Sequence, residues 1–275
     1  MRSGLETVLV RRKEKVITIT ILNEEREILA QESGEGQAIL VYGEDYREGD
    51  RIRVETEKTE AFYWLQMDQA LGRSMVYVTG AVEYEIPFGE KKWNLTSTAF
   101  EGERHIVSVR ECREFEYGCY RNLSYNANDQ HGITTCFPHA SANVETRGES
   151  VFAAMNAIDG VIAPKSHGKW PYQSWGINRR EDAKWRLEFG RSVVTDRIIV
   201  FLRADFPHDN WWTEGKVTFS DGSTMTLTFE KGGHAQEFTF PEKTVEWLEF
   251  DELKKADDPS PFPALTQFEV YGREA

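Results

Sequence analysis

The sequence predicts an all-β protein made of two β-sandwich domains. Short alternating or continuous apolar runs recur along the whole chain of 275 residues. Gly, Asp and Asn separate these runs, and no helical stripe of any length interrupts them. The length also suggests two domains, since a domain holds about 150 residues. An antiparallel sandwich is the economical way to bury strands of this kind.

Seven runs in the first half are predicted to be strands. β-branched and aromatic residues dominate them, as expected on a half-buried pleated surface. Turn signals such as Glu48-Gly49-Asp50 separate neighbouring runs. The predicted strands are 16–22, 38–42, 51–55, 62–67, 75–79, 82–86 and 105–109.

The second half repeats this pattern after an irregular joint. Residues 125–142 are rich in Asn, Asp, His, Gly and Pro, so the predicted domains are 1–135 and 136–275. The turn Ser220-Asp221-Gly222-Ser223 predicts a hairpin, because Asp-Gly tolerates positive φ. The predicted strands are 184–189, 197–202, 216–219, 224–229, 237–240, 245–250 and 267–271.

Composition and charge exclude several classes of protein. Hydrophobic residues make up 40% and charged residues 29%, which excludes a disordered chain. Lys and Arg number 33 against 46 Asp and Glu, and the net charge of −13 is shared by both halves. A surface this acidic repels phosphate backbones, so no nucleic-acid partner is expected. No apolar run approaches the roughly 18 residues that cross a bilayer, so no membrane partner is expected either.

The cysteines and the N-terminus bear on localisation. Cys112, Cys119 and Cys136 are an odd number without CxxC spacing, which predicts free thiols. Residues 1–6 lack the apolar segment of a signal peptide, so a cytoplasmic location is expected. An extracellular location remains the alternative if a signal peptide has been trimmed away. The sequence indicates no particular oligomeric state.

An ordered set of short motifs marks the second half. The motifs are Ala157-Ile158-Asp159-Gly160, Trp175, Trp185-Arg186-Leu187-Glu188-Phe189-Gly190, Arg197-Ile198-Ile199-Val200, Ser220-Asp221-Gly222 and Phe268-Glu269-Val270-Tyr271-Gly272. From about Ala140 to the end, this order resembles the discoidin-like (coagulation factor C-type) domains of the galactose-binding-domain-like superfamily. That superfamily also includes many bacterial carbohydrate-binding modules. The resemblance implies a jelly-roll sandwich whose loops at one end hold a glycan. The first half carries no motif of this kind, but its spacing is compatible with a second jelly roll.

Two polar and aromatic segments, residues 165–170 and 203–212, lie where the resemblance places the glycan-binding loops. Sugars stack their C–H faces on aromatic rings and need fixed polar partners for their hydroxyls. One of the adjacent tryptophans 211 and 212 is expected to face inward because side chains alternate along a strand. Trp185 and Trp247 are predicted to be buried in the core because they lie inside strands, and Trp175 is predicted to be structural. The predicted ligand-binding residues are His167, Trp170, Asp205, His208, Trp211 and Trp212.

The resemblance also implies a structural Ca²⁺ between the first loop and the final strand. Asp159 and Glu269 would supply carboxylates, and carbonyls from the loop near Asn156 would complete the shell. The alternatives are that Asp159 only caps a turn while Glu269 faces solvent, or that polar contacts of the insertion 161–174 replace the metal.

Non-catalytic glycan recognition by the second domain is the favoured interpretation, with a glycan or small sugar as the partner. A sugar-active enzyme or enzyme subunit is the first alternative, with a site at the joint near His131 and His139. A protein-interaction module is the second, because discoidin-like domains also bind proteins. The His, Cys and carboxylate spacings carry no zinc signature, and no glycine-rich phosphate loop is present.

Overall fold

The computed structural model describes residues 15–162 and 166–275. The all-β prediction is confirmed: within these residues, three antiparallel sheets enclose two hydrophobic cores, and the helices are a few residues long. The strands are β1 (Val16–Leu22), β2 (Ile28–Glu35), β3 (Gln37–Tyr42), β4 (Arg51–Thr56), β5 (Ala61–Gln66), β6 (Ser74–Val78), β7 (Val82–Glu85), β8 (His105–Glu111), β9 (Arg121–Asn122), β10 (Cys136–Phe137), β11 (His139–Ala142), β12 (Trp175–Gly176), β13 (Trp185–Leu202), β14 (Trp212–Phe219), β15 (Thr224–Thr228), β16 (Gln236–Lys255) and β17 (Ala264–Glu274). The helical segments are α1 (Glu114–Tyr117) and four 3₁₀ turns, Gly89–Lys92, Thr146–Gly148, Ser150–Phe152 and Ala154–Ala157.

The first half is a sandwich of two sheets. One has the strand order β2-β1-β4-β7 and the other the order β10-β6-β5-β8-β3. Alternation along the strands directs one set of side chains inward, as in β1, where Ile17, Ile19 and Ile21 are buried. These side chains meet Leu40, Tyr63 and others from the second sheet in one core.

The second half is built on three long strands, β13, β16 and β17. Strand β13 has 18 residues, and its register with β16 breaks between Glu188 and Val193, around Gly190 with φ of +68°. Its first part pairs with β11 and its second part with β17. Bulges of this kind let one strand bend and change neighbours. The strands therefore surround a single core that includes Trp175 and Trp185, whereas Trp247, predicted to be buried, lies on the outer face beneath Arg186.

The two halves exchange short strands at the joint. Strand β9 pairs with β17 of the second half, although it lies before the joint. Strand β10, further along the chain, pairs with β6 of the first half. No single residue therefore divides the two sets of sheets, in contrast to the boundary predicted between residues 135 and 136.

Two further features bear on the sequence predictions. Within residues 15–162 and 166–275, no helix has the length and apolar character to cross a membrane. All three cysteines are free, and Cys112 and Cys136 are buried.

A candidate ligand site at one end of the second sandwich

The strand pairing of the second half brings three connections to one end of the sandwich. Leu202, the last residue of β13, pairs with Leu265 near the start of β17. Trp212, the first residue of β14, pairs with Lys255 at the end of β16. The connections 203–211 and 256–263 are therefore neighbours, and the Arg203 N–H donates to the Ala264 carbonyl at 2.9 Å. His167, which lies in the chain before β12, contacts the first of these connections, since its N–H donates to Asp205.

A cavity of about 310 Å³ opens between these connections. This volume is at the small end of the range for ligand pockets in proteins. Aromatic side chains and cations dominate the wall, and the described residues that line it include no Asp or Glu. The side chains that define its chemistry are Phe152, His167, His208, Phe262, Arg147, Arg179 and Arg203.

Three rings of the cavity wall lie nearly parallel. The centroids of His167 and His208 are 4.0 Å apart with an angle of 11° between the ring planes. His208 and Phe262 are 5.3 Å apart at 9°. Burial, together with the neighbouring His208 and Arg203 side chains, lowers the pKa of His167, so this imidazole is neutral near pH 7. These three rings therefore form one stack in the wall of the cavity.

A buried ion pair fixes the polar side of the cavity. The Arg203 Nη2 donates to Asp209 Oδ1 at 2.6 Å and its Nε donates to Oδ2 at 3.0 Å, with both residues almost fully enclosed. Asp209 also accepts from the Asp205 N–H at 2.8 Å and contacts His208 Nδ1 at 3.0 Å. One carboxylate thus orients a guanidinium, a loop amide and a ring of the stack.

The structure distributes the six predicted ligand residues differently from the sequence analysis. His167 and His208 line the cavity. Asp205 supports it, because its Oδ2 accepts from the His167 N–H at 2.6 Å. Trp170 is 54% exposed, and it stands outside the cavity lining. Trp211 also stands outside the lining, with Lys231 Nζ 4.4 Å from its ring centroid.

Trp212 was wrongly predicted as a ligand residue. Its side chain is 0% exposed, and its ring packs in the core near Trp175 and Phe250. Strand β14 begins at this residue, so the alternation of the strand directs its side chain inward. A ring without exposed surface cannot stack on a sugar.

Sequence reasoning missed the arginines and Phe262. Arg147 and Arg179 both have positive φ, 56° and 61°, which places them in turns that no motif of the sequence indicates. Phe262 stands between Pro261 and Pro263 in an irregular connection. The one signal in the sequence that could have identified Phe262 was an aromatic residue between two prolines, outside any strand.

At the joint, the two histidines of the enzyme alternative are each paired with a carboxylate. His131 Nε2 lies 2.9 Å from Glu145 Oε1, and His139 Nδ1 lies 2.7 Å from Asp129 Oδ1. A nearby cavity of about 30 Å³ is lined by Asp129 and has neither histidine in its wall. Its volume suits ordered water and not a sugar.

The loop around Asp159 does not fit the predicted Ca²⁺. From the final strand, the Gln267 Nε2 donates to Asn156 O and to Asp159 Oδ1, each at 2.6 Å. Gln267 Oε1 accepts from the Gly160 N–H at 3.1 Å. An amide donor therefore occupies the position between oxygens that a cation would need. Among the residues that the structure describes, no group of three or more His, Cys, Asp or Glu side chains could hold a metal ion.

We expect the thermal unfolding midpoint to be the same in chelator and in added calcium, because the Gln267 amide already occupies the loop around Asp159.

The stability of the protein should also depend on pH through Asp159. Burial raises the pKa of Asp159 from 3.8 to about 7, so the folded state favours its protonated form. This contribution to stability is present below pH 4 and is lost as the pH rises through 7. Unfolding midpoints measured from pH 4 to 8 should fall less steeply for Asp159→Asn than for wild type. A calcium-dependent midpoint would restore the metal prediction, and identical pH profiles would contradict the assigned pKa.

Comparison with known proteins gives similarity to one family model. The model, described as a domain of unknown function (DUF7402), matches residues 136–258, which is less than half of the chain. No curated protein matches the chain.

Similar solved structures cover a little over half of the chain. Chitosan-binding module 1 of a chitosanase/glucanase from Paenibacillus sp. IK-5 has 19% identity and a TM-score of 0.41, over 55% of this chain and 99% of that one. The lectin domain of lectinolysin, complexed with Lewis B antigen, has 17% identity and a TM-score of 0.42, over 56% and 98%. A fucose-binding module of Streptococcus pneumoniae has 12% identity and a TM-score of 0.39, over 56% and 96%. Identities and TM-scores this low leave the ligand to be inferred from the residues of the cavity itself.

Proposed function

We propose that the chain binds a carbohydrate in the cavity at the end of the second sandwich. The observation that carries this proposal is the parallel stack of His167, His208 and Phe262 in the wall of a 310 Å³ cavity. A sugar ring has an apolar C–H face that packs on flat rings and an edge of hydroxyls that needs fixed hydrogen-bond partners. The stack supplies the first requirement and the guanidinium groups supply the second.

The wall is held in place before any ligand arrives. Arg203 is anchored by Asp209, and the His167 backbone is anchored by Asp205. A site whose groups are already ordered loses less conformational freedom on binding. This supports recognition by a preformed pocket.

The same cavity supports binding without catalysis. Glycoside hydrolysis ordinarily uses two carboxyl groups that flank the scissile bond. The described wall of the cavity has none, and Asp209 behind it is engaged with Arg203 and the adjacent loop. A glycoside hydrolysis at this cavity would therefore lack the usual acid and base among the described residues of its wall.

Substitution of the ring stack tests the proposal. We expect His208→Ala and Phe262→Ala each to raise the dissociation constant of a bound glycan several-fold, since one aromatic contact contributes on the order of 1 kcal/mol. The glycan is to be identified on an array and its affinity measured by titration calorimetry.

Trp170→Ala is the matched control, because it removes an exposed aromatic ring outside the cavity lining. Its dissociation constant should equal that of wild type. The proposal fails if the array finds no glycan. It also fails if Trp170→Ala weakens binding while both stack variants bind normally.

A further inference from the structure

We propose that the sugar recognised by this cavity is acidic, carrying a carboxylate or a sulfate group that Arg179 binds. The inference rests on the proposed function, because it names the class of sugar for the same site. It follows from the kinds of hydrogen-bonding groups that the wall leaves free.

Arg179 is the cation available to a ligand. It is exposed in the loop after β12, and its Cζ lies 4.7 Å from the centroid of the Phe262 ring at the edge of the stack. Within the described residues, no carboxylate oxygen lies within the 4.0 Å of an ion pair with it. A planar guanidinium held against a ring presents its N–H groups in a fixed fork that matches carboxylate and sulfate oxygens.

The other two arginines of the wall are each paired with a carboxylate. Arg147 Nη2 donates to Glu149 Oε2 at 2.7 Å, so its charge is partly compensated. Arg203 uses Nε and Nη2 for Asp209, while its Nη1 has the Ser174 hydroxyl at 3.5 Å. That last distance is at the limit of a hydrogen bond, which leaves N–H groups of Nη1 for a ligand.

The carboxylates around the cavity are already used. Asp209 accepts from Arg203 and the Asp205 N–H, Asp205 accepts from the His167 N–H, and Glu149 accepts from Arg147. A neutral sugar presents hydroxyls that must donate as well as accept. A carboxylate or sulfate only accepts, so it matches a wall whose charged groups only donate.

The arginines of the cavity wall contrast with the acidic composition of the chain. The net charge is −13, so three arginines around one cavity do not follow from an abundance of basic residues. The charge of Arg179, which no described carboxylate pairs, therefore favours an anion at this cavity.

Pairs of sugars that differ only in the acidic group test the inference. We choose glucose with glucuronate, galactose with galacturonate, and N-acetylglucosamine with its 6-sulfate. Titration calorimetry should give at least one acidic member a dissociation constant about tenfold lower than its neutral partner, equivalent to about 1.4 kcal/mol. The uronate and sulfate arms distinguish which anionic group is preferred. Acetate and inorganic sulfate are titrated as anions without a sugar ring.

Arg179→Gln should abolish most of this preference, so that acidic and neutral partners bind within about threefold of each other. Arg180→Gln is the matched control, because Arg180 is adjacent, exposed and paired with Asp182. It should keep the preference. Unfolding midpoints of both variants establish that the fold is retained.

The outcomes separate the two proposals. Equal or tighter binding of the neutral sugars overturns the acidic class and leaves carbohydrate binding intact. A preference that survives in Arg179→Gln overturns the assignment to this side chain. If the acetate or sulfate ion binds as tightly as the acidic sugar, or if no sugar binds at all, the proposed function fails as well.

Discussion

Replacing Asp209 by Asn is expected to lower the free energy of unfolding by about 3–5 kcal/mol, because it leaves a buried guanidinium without its counter-charge. Asp209 is 0% exposed and accepts from two nitrogens of Arg203 as well as from the Asp205 N–H. The amide of Asn can replace only part of these contacts. Urea unfolding followed by tryptophan fluorescence measures the change. Glycan binding should be lost together with stability, since His208 also contacts this carboxylate.

Asp182→Asn is the control for this change. It breaks an Arg–Asp pair of the same type, but with Arg180 and with side chains that are 47% and 68% exposed. Exposed pairs contribute little to the free energy of unfolding because water screens them, so Asp182→Asn should leave it nearly unchanged. If Asp182→Asn lowered the free energy of unfolding as much as Asp209→Asn, burial would not explain how the Arg203–Asp209 pair stabilises the fold.

Trp212→Ala is expected to be about as damaging, with a loss of about 3–5 kcal/mol, because it empties a large volume in the core of the second sandwich. The ring contacts Trp175, with centroids 6.2 Å apart, and Phe250, with centroids 6.0 Å apart. Neither neighbour can move far without disturbing the strands that hold it. Chemical denaturation at constant temperature measures the loss.

Two other variants separate the loss of volume from the loss of an indole. Trp212→Phe should cost less than Trp212→Ala, since the indole Nε1 has no hydrogen-bond partner among the described residues and the smaller ring fills part of the space. Trp170→Ala should change stability by less than about 0.5 kcal/mol because its ring is exposed. An effect of Trp170→Ala equal to that of Trp212→Ala would contradict the assignment of these rings to surface and core.

Much of the strand content was predictable because burial on one side of a sheet imposes a period of two. Strand β1 has the predicted bounds, and most other predicted strands overlap observed ones. Strand β2 was missed because its residues are mostly exposed, so no alternation marks it. Strand β16 was predicted as two strands because Pro241 reads as a break, whereas the chain passes it in a bulge.

The site was only partly predictable for a different reason. His167 and His208 stand out because they occur in polar, aromatic loops of the sequence. Arg179 and Phe262 reach the same cavity from connections more than 80 residues apart, and only the pairing of strands brings them together. Trp212 illustrates the opposite error, since a loop-like sequence context conceals the first inward residue of a strand. Local composition identifies rings but does not determine which face they occupy.

The strand exchange at the joint determines how this protein can be dissected. A cut between residues 135 and 136 would leave β9 attached to the first fragment, although its partner β17 lies in the second. The same cut would place β10 on the second fragment and expose the edge of β6 that it covers. Each fragment would then display an open β edge that fits the other. The two pieces therefore resemble the complementary fragments of a split protein and not two independently folding domains.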